Sequence, residues 1–131
     1  MAGHGVGGND GWRFFKKYWA PVIIYAGFIF YVSSIPVPAV NIDLSILHVP
    51  MFLVLSYLVA RALSCGSRFG KRKAILAAIA VTAVYGVLDE FHQLYVPSRT
   101  FSFLDMGFDF LGGYLIVFKA WWEKLFEKVN L

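Results

Sequence analysis

Between Tyr85 and Gly113 the chain carries Asp89, Glu90, His92, Gln93, Arg99, Asp105 and Asp109. These side chains could do three kinds of chemistry. Carboxylate oxygens hold hard divalent cations, and an imidazole can add a nitrogen ligand. Asp89, Glu90, His92, Asp105 and Asp109 are therefore candidate metal ligands, and a divalent cation is the cofactor they would suit. His92 is the natural general acid or base, with Asp89 on its own helix face to orient it, so these two are the catalytic candidates. Arg99 can grip a carboxylate or a phosphate with two parallel hydrogen bonds. Glu90, Gln93, Arg99, Asp105 and Asp109, joined by His48, are candidate ligand-binding residues. No Ser or Cys sits in a recognisable nucleophile motif, so covalent catalysis is not expected.

Spacing says which of these residues can act together. Residues three or four apart are neighbours on a helix, which puts Tyr85, Asp89, His92 and Gln93 on one face. Glu90 points about 100° away, toward Gly86. Asp105 and Asp109 share a face, ~6 Å apart along the axis. Val96-Pro97-Ser98-Arg99-Thr100 is a turn that brings the two groups together. Ala74, Ala78, Thr82 and Gly86 form a small-residue stripe that lets helix backbones approach closely.

The elements that must position these groups are apolar segments. The chain has 131 residues, 59 % of them hydrophobic and only 15 % charged. Soluble domains average ~45–50 % apolar and ~25 % charged. Mean hydropathy is +0.64. Four segments, about 18–35, 46–63, 74–96 and 101–122, approach the ~20 residues that cross a bilayer as a helix. Backbone groups in lipid must be satisfied internally, so helices are the expected form. The expected fold is all-α, a four-helix transmembrane bundle of one domain over residues 18–131, after a flexible Gly-rich tail at 1–17. If Met1 is removed, His4 becomes the third residue, a spacing that chelates copper or nickel through backbone nitrogens; a plain tail is the simpler reading.

A net charge of +4 would ordinarily raise nucleic acid as a partner. Topology explains the basic residues better. Arg13, Lys16 and Lys17 precede the first segment; Arg61, Arg68, Lys71, Arg72 and Lys73 lie at the second connection; Lys119, Lys124 and Lys128 lie at the end. Positive residues favour the cytoplasmic side, so both termini are expected in the cytoplasm and the acidic cluster in the outer half of the membrane. His48, at the outer end of the second segment, then lies at the depth of that cluster. Cys65 is the one cysteine, so no intrachain disulfide can form.

Asp89-Glu90-Phe91-His92-Gln93, Val96-Pro97-Ser98-Arg99, and Asp105, Asp109 and Gly112 together resemble the signature of the VanZ-like family of small membrane proteins. That family shows D-E-x-H-Q, then V-P-G-R, then an Asp followed four residues later by Asp or Asn and then Gly. Ser98 stands where Gly is usual. In the first half, family members often have an Asp-Lys pair before a His and Glu-Tyr after it. Here Ser45 takes the place of the Lys, Met51 and Phe52 replace the Glu-Tyr, and Asp43 is displaced by one. The resemblance implies a multi-pass protein of the cell membrane with a link to low-level resistance to glycopeptide antibiotics.

Three readings follow. The cluster binds a lipid headgroup, a cell-wall precursor or an antibiotic; or it is a metal-assisted enzyme acting on a membrane lipid phosphate; or it is a structural network that docks helices. Whether the protein is an enzyme stays open at this point. Membrane lipids are the expected partners and nucleic acid is not.

Overall fold

The computed structural model describes residues 8–37, 44–66 and 69–129, with side chains up to Lys124. His4, Asp43, Arg68 and the side chain of Lys128 lie outside that set.

The described chain is all-helical and forms four rods. In the first, α1 (Gly8–Phe14) runs through a π-helical stretch, Phe15–Trp19, into α2 (Ala20–Ser33). Pro21 explains the widening. Its ring would clash with the carbonyl four residues back in a regular α-helix, and the i→i+5 spacing, with the Ala20 N–H on the Phe15 carbonyl, relieves that. In the second rod, a 3-10 turn at Ser45–Leu47 leads into α3 (His48–Gly66). The third is α4 (Lys71–Gln93).

The fourth rod differs from a single span over 101–122. It is two helices in succession, α5 (Phe103–Tyr114) and α6 (Ile116–Val129), broken at Leu115. Gly112 and Gly113 are weak helix formers, and the Ser56 hydroxyl of α3 donates to the Gly113 carbonyl at 3.0 Å. That oxygen would otherwise serve the next helical turn.

Two of these helices are long and apolar enough to cross a membrane, Ser45–Cys65 and Lys71–Gln93, each with a mean hydropathy of 1.8. Helices α3, α4 and α5 pack most closely, with α2 against α3 and α4. The core holds Ile29, Phe52, Leu55, Val59, Ala60, Ala78 and Ile116. Polar side chains are buried with it: Ser33, Ser56, Thr82, Asp89, Glu90, Gln93 and Asp109. Large apolar ones such as Ile24, Leu76, Val84, Leu88 and Phe118 face outward. Buried ionisable groups within an outward-facing apolar surface suit a lipid surround.

Glycines set the spacing of the rods. A Cβ on Gly112 would lie 2.3 Å from the Val49 carbonyl oxygen, and one on Gly113 would lie 2.6 Å from Thr82 Oγ1. Both are inside van der Waals contact, so α5 fits between α3 and α4 because those side chains are missing. The small-residue stripe of α4, Ala74, Ala78, Thr82 and Gly86, is buried along its length.

Candidate functional site

The stripe of α4 ends in Asp89, Glu90 and Gln93, all buried. Because adjacent residues on a helix diverge by about 100°, Asp89 and Glu90 serve different neighbours.

Asp89 faces α2. Its Oδ2 accepts from Ser33 Oγ at 2.7 Å and from Gln93 Nε2 at 3.3 Å. The rest of that α4 face docks on the same helix. Tyr85 OH donates to the Ala26 carbonyl at 2.5 Å. His92 Nε2 meets Ser34 Oγ at 2.9 Å, and its ring stacks on Phe30 with centroids 4.1 Å apart. Thus Tyr85, Asp89, His92 and Gln93 do share a face, and its hydrogen bonds are spent largely on joining α4 to α2.

Glu90 faces α5 and α3. Its Oε2 accepts from the backbone N–H of Ser102 at 2.9 Å. Ser102 is the N-cap of α5, and its hydroxyl accepts from the Asp105 N–H at 3.1 Å. A Ser-x-x-Asp start usually closes on itself, the acid at the third helical position taking the cap residue's own N–H. Here Glu90 takes that N–H from another helix. Asp105 is thereby released, and its Oδ1 is buried with no hydrogen-bond partner among the described residues.

Asp109, one helical turn beyond Asp105, reaches α3. Its Oδ1 lies 2.6 Å from His48 Nδ1, with the two side chains 1 % and 12 % exposed. His48 also stacks over Phe52, whose ring is fully buried. Gly86 makes room for Asp109: a Cβ there would lie 2.9 Å from both Asp109 Cβ and Oδ2. His48, Glu90 and Asp109 each present one potential ligand atom, and these lie within 4.8 Å of one another. His92 and Asp89 belong to the α2 contact instead, and Asp105 sits at the start of α5.

Arg99 completes the picture in an unexpected role. Its Nε donates to the Ile35 carbonyl at 3.1 Å and its Nη2 to the Val32 carbonyl at 3.2 Å. It therefore caps the carboxyl end of α2, where carbonyls lack helical donors and a cation is favoured. Among the described residues it forms no ion pair with a carboxylate. The turn that aims it is closed by Arg99 N–H on the Val96 carbonyl at 3.2 Å, with Pro97 second and Ser98 third at φ 65°. Pro followed by a positive φ makes a type II turn, which prefers Gly at that third place. Ser98 tolerates it, and its hydroxyl donates to the Val37 carbonyl at 3.0 Å.

Over this end of the bundle lies a cavity of about 340 Å³, lined by His48, Arg99, Asp105, Gln93, Ser45 and Met51 among others. The partners that sequence reasoning missed are Ser33, Ser34 and Ser102. Each is a common residue type, and the signal for them was position alone: Ser33-Ser34 ends α2 at the depth of the acids, and Ser102 precedes α5 by one residue.

The chain is all-helical among the described residues, with two helices long and apolar enough to cross a membrane and a His, Glu and Asp cluster where α3, α4 and α5 meet. The VanZ/LLP1 family model matches residues 12–124, and the chain belongs to that family. No curated protein and no solved structure matches it.

Proposed function

We propose that the protein is a multi-pass protein of the cell membrane that binds a polar lipid headgroup in the cavity at the acidic end of its bundle. In this reading all four rods cross the bilayer, both termini are cytoplasmic, and the cavity opens in the outer half. The distribution of Lys and Arg supports that orientation.

The observation that carries the reading is the pairing of opposite functional groups in one cavity. Arg99 spends Nε and Nη2 on carbonyls, which leaves Nη1 for a ligand anion. Asp105 lines the same cavity, and its buried Oδ1 has no hydrogen-bond partner among the described residues. A headgroup with a phosphate and an amine or hydroxyls would satisfy both. At about 340 Å³ the cavity has the volume of a small-molecule site. A lipid-linked cell-wall precursor carries the same chemistry, and masking one would account for glycopeptide resistance.

The test is native mass spectrometry of the full chain in mild detergent, beside Arg99→Ala and Asp105→Asn. Wild type should retain a phosphate-bearing lipid that both variants lose while circular dichroism stays unchanged. Equal retention by all three folded proteins would overturn the proposal. If the occupant is a cell-wall precursor, the same variants should lose any glycopeptide protection measured in cells.

A further inference from the structure

We infer that His48, Glu90 and Asp109 form a site for one divalent cation of the zinc–manganese class, held where α3, α4 and α5 meet. The site does not depend on what fills the cavity above it.

The donor set comes first. One imidazole nitrogen and two carboxylate oxygens suit first-row divalent ions that accept mixed ligands, and three protein ligands leave a further position open. The three potential ligand atoms fall within 4.8 Å of one another. Around a tetrahedral ion two ligands each ~2.1 Å from the metal lie ~3.4 Å apart. The widest pair must therefore draw in by up to roughly 1.4 Å, while the 2.6 Å His48–Asp109 contact opens.

The second observation is independent of that cluster geometry. Glu90 is fully buried and Asp109 is 1 % exposed, yet Glu90 Oε1 and Asp109 Oδ2 have no hydrogen-bond partner among the described residues. Buried polar atoms are satisfied in the great majority of cases, and an orphan requires an explanation. Glu90 Oε2 is already committed to the Ser102 N–H, and Asp109 Oδ1 to His48. The orphans are thus spare oxygens on side chains whose other oxygens are anchored. Asp109 Oδ2 lies against Gly86, one helical turn before Glu90, which brings both orphans to the same side of α4.

Charge balance points the same way. Arg99 is engaged by the Val32 and Ile35 carbonyls at and just past the end of α2, and the Lys ion pairs among the described residues lie far along the chain at Glu123. Among the described residues no protein cation other than His48 touches Glu90 or Asp109. Buried carboxylates need a partner of opposite charge or a proton. A divalent ion would supply the charge for both acids and would tie three rods together.

Binding must displace the proton that His48 and Asp109 share. The 2.6 Å contact between His48 Nδ1 and Asp109 Oδ1 is a hydrogen bond and so contains one. The incoming ion takes the Nδ1 lone pair and a carboxylate oxygen; the displaced proton moves to Nε2 when the imidazole is neutral, and to solvent by way of the cavity that His48 lines when the pair holds two protons.

The experiment uses the full chain with a histidine-free amino-terminal tag, stripped with chelator in detergent. Added Mn²⁺ is followed by loss of its free-ion electron paramagnetic resonance signal, and Zn²⁺ is then added as competitor. Wild type should show an end point at one ion per chain, displacement by Zn²⁺, and a thermal midpoint raised by several degrees with either ion. Glu90→Gln should lose all three effects. Asp89→Asn, whose carboxylate bonds Ser33 and Gln93, should keep them. A non-saturating Mn²⁺ response with an unmoved midpoint in folded wild type overturns the inference, whether or not Glu90→Gln folds. So does a folded Glu90→Gln that binds as wild type. Headgroup retention is read on Arg99 and Asp105, so the two proposals fail separately.

Discussion

The two ends of the bundle use charge in opposite ways. At the acidic end, His48 and Asp109 are 2.6 Å apart and nearly sealed from solvent, and Asp89 and Glu90 are buried beside them. At the basic end, Glu123 sits between Lys119 at 3.1 Å and Lys71 at 3.3 Å, with all three side chains 43–59 % exposed. The hydrogen bonds from Lys119, then Lys71, hold the Glu123 carboxyl below its ordinary range. Lys119 also lies 3.9 Å over the Tyr57 ring, and Arg61 5.1 Å over Tyr18. The chemistry of the contacts is similar and their consequences are not. An exposed ion pair exchanges water for a partner at little net gain. A buried one cannot lose a partner without stranding the other. The basic end can therefore lose a partner at little cost, while the acidic end fixes how the rods dock.

Removing a buried partner should produce the largest effect. Asp109→Ala leaves His48 without its acceptor and opens a gap against Gly86; a loss of about 3–5 kcal/mol is expected in denaturant titration or thermal unfolding. A loss below about 1 kcal/mol would erase the distinction between the ends. An intermediate effect is expected where backbone spacing, and no charge, is changed. Gly112→Ala pushes a methyl group against the Val49 carbonyl and should cost about 1–3 kcal/mol. Gly107, on the same helix, has nothing within 4 Å of a built Cβ. Gly107→Ala should be neutral or stabilising by up to ~1 kcal/mol through helix propensity. The smallest effect belongs to the basic end. Glu123→Gln should change stability by roughly 0–1 kcal/mol. Because the folded-state pKa of Glu123 is depressed, its contribution is present above the unfolded pKa and is lost as pH falls through the folded value. Thermal midpoints of wild type and Glu123→Gln should accordingly converge on acidification. If they stay apart, the pair is structural after all.

Much of the fold was legible because it rests on local pattern. Apolar runs marked the rods, and the stripe Ala74, Ala78, Thr82, Gly86 marked the face of α4 that is buried. The break at Leu115 was not legible, since it depends on Ser56 reaching the Gly113 carbonyl from another helix. The site was half legible. His48 was singled out by depth, and Asp109 by its place one turn past Asp105; the contact between them joins positions 61 residues apart. Arg99 read as an anion grip because its fork suits carboxylates and phosphates. Which acceptors it meets depends on where α2 ends, and Val32 and Ile35 offer theirs.

The amino-acid sequence by itself determined the apolar segments, the asymmetry of basic residues, the family signature and the angular relations within each helix. All of these follow from composition and from the 3.6-residue period. Only the tertiary structure decided that Asp89 and His92 bind α2 while Glu90 turns to His48 and Asp109. A helix period fixes the angle between two side chains on one rod. It does not say which neighbour covers each face, because that is set by how closely the rods approach. Here the approach is governed by what Gly86, Gly112 and Gly113 leave out.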